Sequence, residues 1–172
     1  LLHGYEQWGV DLLQRVRGMF TFVIWDKNKQ ELFGARDHFG IKPFYYAKMN
    51  GTFMYASEIK SLLRHPDFVK ELNAEALKPY MTFQYPAIGE TFFKGVYKLP
   101  EGHYFTYRDG KMDIHRYYDE DFREGKQKLG ELVNSIDQTV CDSVKAHQIA
   151  DVEVGSFLSS GVDSSYVAAV AR

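Results

Sequence analysis

Two aromatic runs meet at a dipeptide that leaves the backbone little choice: PFYYAKM, then Asn50-Gly51, then TFMYAS. A two-residue type I′ turn needs positive φ at both central positions, and Asn-Gly accepts that conformation better than almost any other pair. The pattern recurs. Asp109-Gly110 separates HYFTYR from KMDIHRYY, and the polar turn DKNK separates MFTFVIW (Met19 to Trp25) from QELFGARD. With 13 Phe and 12 Tyr, side chains that pack well on pleated surfaces, these three hairpins predict a strand-rich structure. Short helices are expected between them, with Ser57 capping EIKSLLRH and Asn73 capping AEALKPYM, where Pro79 predicts an early end or a kink. Hairpins with intervening short helices make an antiparallel α+β domain.

The character changes after Tyr118. DEDFREGKQK (Asp119 to Lys128) is charged and nearly devoid of apolar residues, a solvated linker. Beyond it Leu129, Leu132, Val133, Ile136, Val140 and Val144 recur at three- and four-residue steps, one face of a helix. Cys141 lies beside that stripe, where a small buried side chain is the expected role. VEVGSF then reads as a short strand, followed by a loop and a helix start, which is the opening of a parallel α/β unit. The expected organisation is a first domain over residues 1–118, a linker over 119–128 and a second domain beginning at 129.

A hydrophobic content of 45% is enough to bury a core and argues against disorder. A net charge of −2 points to neither a nucleic-acid nor a membrane-surface partner. The single cysteine excludes an internal disulfide and a cysteine-rich zinc site, as expected of a reducing, cytoplasmic setting. No apolar run approaches the roughly 18 residues of a membrane span. The first residue is Leu, so the protein's true start is expected upstream.

The segment LSSGVDSS (Leu158 to Ser165) carries the chemistry. Small residues permit close backbone approach, hydroxyls donate hydrogen bonds, and a following helix offers free N–H groups at its positive end, all of which suit a polyanion. The segment is not a Walker A loop, because the Gly-x4-Gly-Lys pattern is absent. An ordinary strand-to-helix turn, capped by Asp163 or Ser164, is the other reading of the same residues.

LSSGVDSS resembles the S-G-G-x-D-S pyrophosphate loop of the N-type ATP pyrophosphatases, with Ser160 in place of the usual first Gly. If that position needs positive φ, Ser costs more than Gly there. Upstream, GMFTFVIWD, ARDHFGIKPFYY, YASEIKSLL, KLPEGHYFTY and RYYD resemble, in order, the later part of the glutaminase domain and the domain junction of glutamine-dependent asparagine synthetases. The resemblance implies part of an Ntn-type αββα glutaminase followed by the start of an ATP-pyrophosphatase domain. It implies an internal fragment of a ligase that makes asparagine and glutamate from aspartate and glutamine, releasing AMP and pyrophosphate, with ATP and magnesium required. A homodimer remains open.

Residue by residue, the resemblance assigns ATP contact to Leu158 against the adenosine and to Ser159, Ser160, Gly161, Asp163 and Ser164 around the phosphates. Asp163 is also the candidate magnesium ligand, unless it caps the helix. The family's glutaminase nucleophile is an N-terminal Cys, which no residue here supplies, so no catalytic residue and no glutaminase activity are expected of these 172 residues. Arg36-Asp37-His38 has the residue types of a proton-transfer site, but an Arg–Asp pair after a strand more simply fixes a turn. His103 and His115, on opposite strands of one hairpin, would need a further ligand to hold a metal. Two alternatives stay open: a β-lactam or peptide-cyclising synthetase using the same adenylation, and a non-catalytic remnant acting as a binding module.

Overall fold

β1 (Thr21–Asp26) and β2 (Glu31–Arg36) pair antiparallel, and β2 pairs in turn with β6 (His103–Arg108), which closes the third hairpin with β7 (Lys111–Arg116). The resulting sheet has the order β1-β2-β6-β7, so β2 takes as its second neighbour a strand some seventy residues away in the chain. A second antiparallel sheet has the order β4-β3-β5, built from β3 (Tyr45–Met49), β4 (Thr52–Ala56) and β5 (Val96–Lys98). The computed structural model describes residues 1–85 and 87–171.

Both dipeptide turns behave as their composition demands. Asn50 and Gly51 have φ of 50° and 82°, and Asp109 and Gly110 have 49° and 76°. These are the positive values of a type I′ turn, whose twist matches that of the strands it joins.

Side-chain alternation sorts the four-stranded sheet into two apolar faces. On one face Ile24, Phe33 and Ala35 pack with Tyr5, Leu12 and Leu13 from α1 (Leu2–Trp8) and the 3-10 segment Gly9–Gln14. On the other, Val23, Leu32, Phe105 and Tyr107 meet Phe44, Tyr46 and Phe53 of the second sheet. The Phe53 and Tyr107 rings stack at 4.2 Å, while Phe44 and Phe105 lie 5.4 Å apart. The far side of the second sheet buries Ala47, Met54 and Val96 against Leu62 of α2 (Ile59–Leu62). The layers therefore run helix, sheet, sheet, helix, and the antiparallel α+β expectation holds for this part of the chain.

Several local expectations fail for tertiary reasons. Ser57 does not cap: the N-cap is Glu58, and the helix is one turn long. Asn73 is the N-cap of α3 (Ala74–Phe83), but its side chain is buried and donates instead to Glu90 and to the Thr91 carbonyl. A buried amide must satisfy its donors, and the orientation that carries its NH2 group to these two acceptors leaves no side-chain bond to the helix's first N–H groups. Pro79 stands inside α3 without ending it, and the helix stops at Gln84 in the left-handed conformation.

Residues 1–121 and 122–172 form separate compact units. In the second, α4 (Leu129–His147) and α5 (Val162–Val170) contact each other. The predicted stripe of α4 is present but does not face a core: Leu129 is 77% exposed and Ile136 53%, and Cys141 is half-buried rather than buried. No strand forms over VEVGSF. A strand exists only through a ladder partner, and the described residues of this unit provide none.

Candidate functional site

The hydroxyl-rich loop runs from Leu158 into the first turn of α5. Gly161 is the N-cap, with φ −80° and ψ 158°, so neither Asp163 nor Ser164 takes the capping position. The first helical bond in the loop runs from Ser165 N–H to the Gly161 carbonyl at 3.1 Å. The N–H groups of Val162, Asp163 and Ser164 precede that bond and belong to the helix's unpaired first turn. Ser164 is the loop's clasp. Its hydroxyl donates to the Gly161 carbonyl at 3.1 Å and accepts from the Ser159 N–H at 3.3 Å, and it lies 3.1 Å from the Ser159 hydroxyl.

Positive φ falls at Ser160, at 59°, and not at Gly161. The conditional cost raised by the sequence is therefore real, because a non-glycine residue in the left-handed region loses roughly 1–2 kcal/mol. Gly161 has room around it: a Cβ there would meet only the Ser159 and Ser164 hydroxyls, at 3.6 and 3.8 Å. The loop thus brings Ser159, Ser160, Gly161 and Ser164 together at one helix start, with Asp163 exposed in the first turn and Leu158 exposed on the approach.

Those groups fit a magnesium-bound polyphosphate. Serine hydroxyls and the first-turn N–H groups of α5 lie together at one exposed helix start, Asp163 adds an exposed carboxylate, and the loop has no side-chain cation of its own.

Two side chains that sequence reasoning missed hold α5 to α4. The Tyr166 hydroxyl donates to Asp137, and the Gln148 amide donates to the Ala171 carbonyl at 2.6 Å. The bond to Asp137 is the chief reason the Tyr166 phenol is pushed up to about 12. No local pattern marks this pair, since its members are 29 residues apart. A cleft of about 420 Å3 lies alongside, lined by residues including Val140, Val144, His147, Val154 and Val167.

The other candidates resolve into structure. Arg36 and Asp37 are 2% and 1% exposed. The guanidinium donates to three carbonyls, those of Lys42 and Leu99 at 2.7 Å and that of Gly40. Asp37 accepts from the N–H groups of Phe20, Phe39, Ile41 and Lys42. Burial alone would raise the Asp37 pKa, but these four donors outweigh it and hold the carboxyl below its ordinary value. The pair fixes a turn. His103 pairs with Arg116 and His115 with Tyr104, so the two imidazoles project from opposite faces of the sheet and cannot share a metal. Among the described residues no group of three metal-ligating side chains is close enough to hold an ion.

Two stacked antiparallel sheets between helical layers, followed by a separate unit in which a hydroxyl-rich loop opens a helix, define the class as an α+β protein. Comparison with known families makes the assignment specific: the chain belongs to the glutamine amidotransferase domain family, whose model matches residues 1–118, and the asparagine synthase family model matches residues 135–172. It is 40% identical over its whole length to asparagine synthetase [glutamine-hydrolyzing] 1 of Bacillus subtilis, covering 27% of that protein. It is 33% identical to asparagine synthetase [glutamine-hydrolyzing] 3 of the same organism, over 99% of this chain and 28% of the relative. A Gibberella zeae protein named amidase chry2 is 34% identical over 95% of this chain and 25% of its own length. The chain thus spans about a quarter of these relatives, from the glutaminase part into the start of the synthetase part.

Proposed function

We propose that this chain serves in an ATP-dependent amidotransferase that converts aspartate and glutamine to asparagine and glutamate, with release of AMP and pyrophosphate. The supporting observation is the succession, in one chain, of a glutamine amidotransferase match and an asparagine synthase match whose first loop is lined by hydroxyls and helix N–H groups. In this reading residues 1–118 are scaffold for glutamine hydrolysis, residues 119–128 are the linker, and the second domain begins at residue 129.

Ser159, Ser160 and the N–H groups following Gly161 bind the ATP phosphates, while Leu158 lies against the adenosine. Ser164 keeps the loop closed from within, through its bonds to Ser159 and Gly161. Asp163 would hold magnesium, and the ion's chemistry there would be to offset negative charge on the pyrophosphate group. Adenylation of the aspartate side-chain carboxylate gives ammonia a good leaving group, AMP, to displace. The loop's task is to orient the phosphates so that this transfer is in line.

The test is parallel measurement of pyrophosphate and glutamate release by the full-length protein, with aspartate and glutamine supplied. Aspartate-dependent pyrophosphate release that is lost in Gly161→Val, with glutamate release retained, supports the reading. Equal pyrophosphate release by wild type and variant overturns the nucleotide assignment. In a second reading the same adenylation serves another carboxylate. Pyrophosphate release that answers to a different acid and not to aspartate would select it.

A further inference from the structure

α5 buries no residue, so apolar packing does little to fix its position within the unit. Its side-chain hydrogen bonds to α4 and the turn that follows α4 come at two points, Tyr166 to Asp137 at its middle, one turn on from its N-cap, and Gln148 to the Ala171 carbonyl at its end. The two points are not equivalent. Tyr166 follows Ser164, the residue that clasps Ser159 and Gly161, by two positions, whereas Ala171 lies beyond the helix's last turn. On the Asp137 side the anchor is firm, because Asp137 sits in the middle of the 19-residue α4, away from its fraying ends. The Glu131 carboxylate also accepts from the Lys128 N–H at 3.3 Å, so the first turn of α4 is held as well.

We propose that Tyr166 and Asp137 are positioning residues for the phosphate loop: their hydrogen bond sets where the first turn of α5, and with it the N–H groups of Val162 to Ser164, points. The inference rests on the nucleotide reading of the loop. Neither residue need touch the nucleotide. The pair acts by removing a freedom, since a first turn able to rock against α4 would spend part of the phosphate binding energy on being ordered. The Tyr166 phenol, raised as it is, keeps its proton throughout the neutral range and remains a donor.

The experiment measures ATP affinity by titration calorimetry in the full-length protein, in three single variants, Tyr166→Phe, Asp137→Ala and Asp137→Asn, and in the double variant Tyr166→Phe/Asp137→Ala. Glutamate release and thermal melting are followed alongside. Tyr166→Phe and Asp137→Ala are expected to weaken ATP binding by roughly 2- to 10-fold, the factor that the net free energy of one hydrogen bond corresponds to. Glutamate release should be unchanged. Asp137→Asn keeps an amide oxygen able to accept the phenol proton, so its affinity should stay close to wild type. The double variant Tyr166→Phe/Asp137→Ala should be no weaker than either single, because both remove the same bond. Lower melting temperatures with wild-type ATP affinity would overturn the proposal and leave the pair a purely structural clasp. Wild-type protein that binds no ATP would overturn the nucleotide reading and this inference together. Wild-type binding that all three single variants retain overturns the inference alone.

Discussion

The phenol of Tyr117 donates to the main-chain carbonyl of Arg36 at 2.7 Å, joining residues 81 apart in sequence. Around that contact the domain's exit is tied down. The Gly102 N–H donates to the Asp37 carbonyl, and the Gly102 carbonyl accepts from the N–H groups of both Tyr117 and Tyr118. The His38 ring lies 4.2 Å from that of Tyr118. The strand end that bears Arg36 and Asp37 is thus the point at which the first hairpin, the third hairpin and the two tyrosines that precede the linker are fastened together.

Arg36→Met is therefore expected to destabilise this domain severely. It strips the donor from three carbonyls, those of Gly40, Lys42 and Leu99, and leaves Asp37 without its neighbouring cation. The cost should be roughly 3 kcal/mol or more, since each orphaned buried acceptor loses its partner without regaining water. Urea denaturation followed by tryptophan fluorescence checks this. A loss under about 1 kcal/mol would mean that water replaces the guanidinium.

Asp37 makes stability depend on acid. Its folded-state pKa is held below the unfolded value, so the stability it contributes is present above the unfolded pKa of 3.8 and is lost as pH falls through the folded one. Asp37→Asn should be less stable than wild type at pH 7 by on the order of 2–3 kcal/mol, and the difference should shrink below about pH 4. Melting temperatures of the two proteins from pH 7 to pH 2 give the test. A gap independent of pH would assign the loss to packing and not to the charge.

Gly34 is required by a ring. It faces Phe105 across the β2–β6 ladder, and a Cβ there would stand 2.3 Å from the nearest ring carbon. Phe105 is fully buried between the two sheets and in contact with Phe44 and Phe53, so it has nowhere to move. Gly34→Ala should cost about 1–3 kcal/mol by overpacking. Gly34→Ala with Phe105→Leu should recover part of that loss, and failure of the double variant to recover any would place the strain elsewhere.

The loop separates two glycine-like positions with opposite outcomes. Ser160→Gly relieves a left-handed serine and should stabilise the loop by about 1 kcal/mol. Because the proposed function gives the Ser160 hydroxyl to phosphate, ATP affinity should fall although folding improves. Gly161→Val is not strained, because φ there is −80° and a Cβ meets only ordinary contacts. That variant should fold normally and lose pyrophosphate release because the branched side chain occupies the phosphate approach. A folding defect in Gly161→Val would contradict this account.

Whatever depends on a residue and its immediate neighbours is legible in the amino-acid order alone. Asn50-Gly51 and Asp109-Gly110 specify their turns through their own φ preferences, and the strands they join follow. The spacing of Leu129, Leu132, Val133 and Ile136 specifies a helix whether or not anything covers it. The small residues from Ser159 to Ser165 mark the loop because close approach requires the absence of bulk. Tertiary structure decided everything whose partner is remote. Asn73 leaves its cap for Glu90 and Thr91, β5 forms because β3 offers it an edge, and VEVGSF stays outside any strand because no edge is offered. Arg36 and Asp37 read more simply as a turn-fixing pair than as proton-transfer groups, and seven hydrogen bonds with backbone consume both side chains, five within residues 39–42 and two reaching Phe20 and Leu99, which only the fold brings near. Likewise Tyr166 and Asp137 meet only because α4 and α5 lie side by side. Local dihedral preference is a property of the residue and can be read from it, whereas a ladder partner, a buried charge's donors or a cross-helix bond exists only once the chain has folded back on itself.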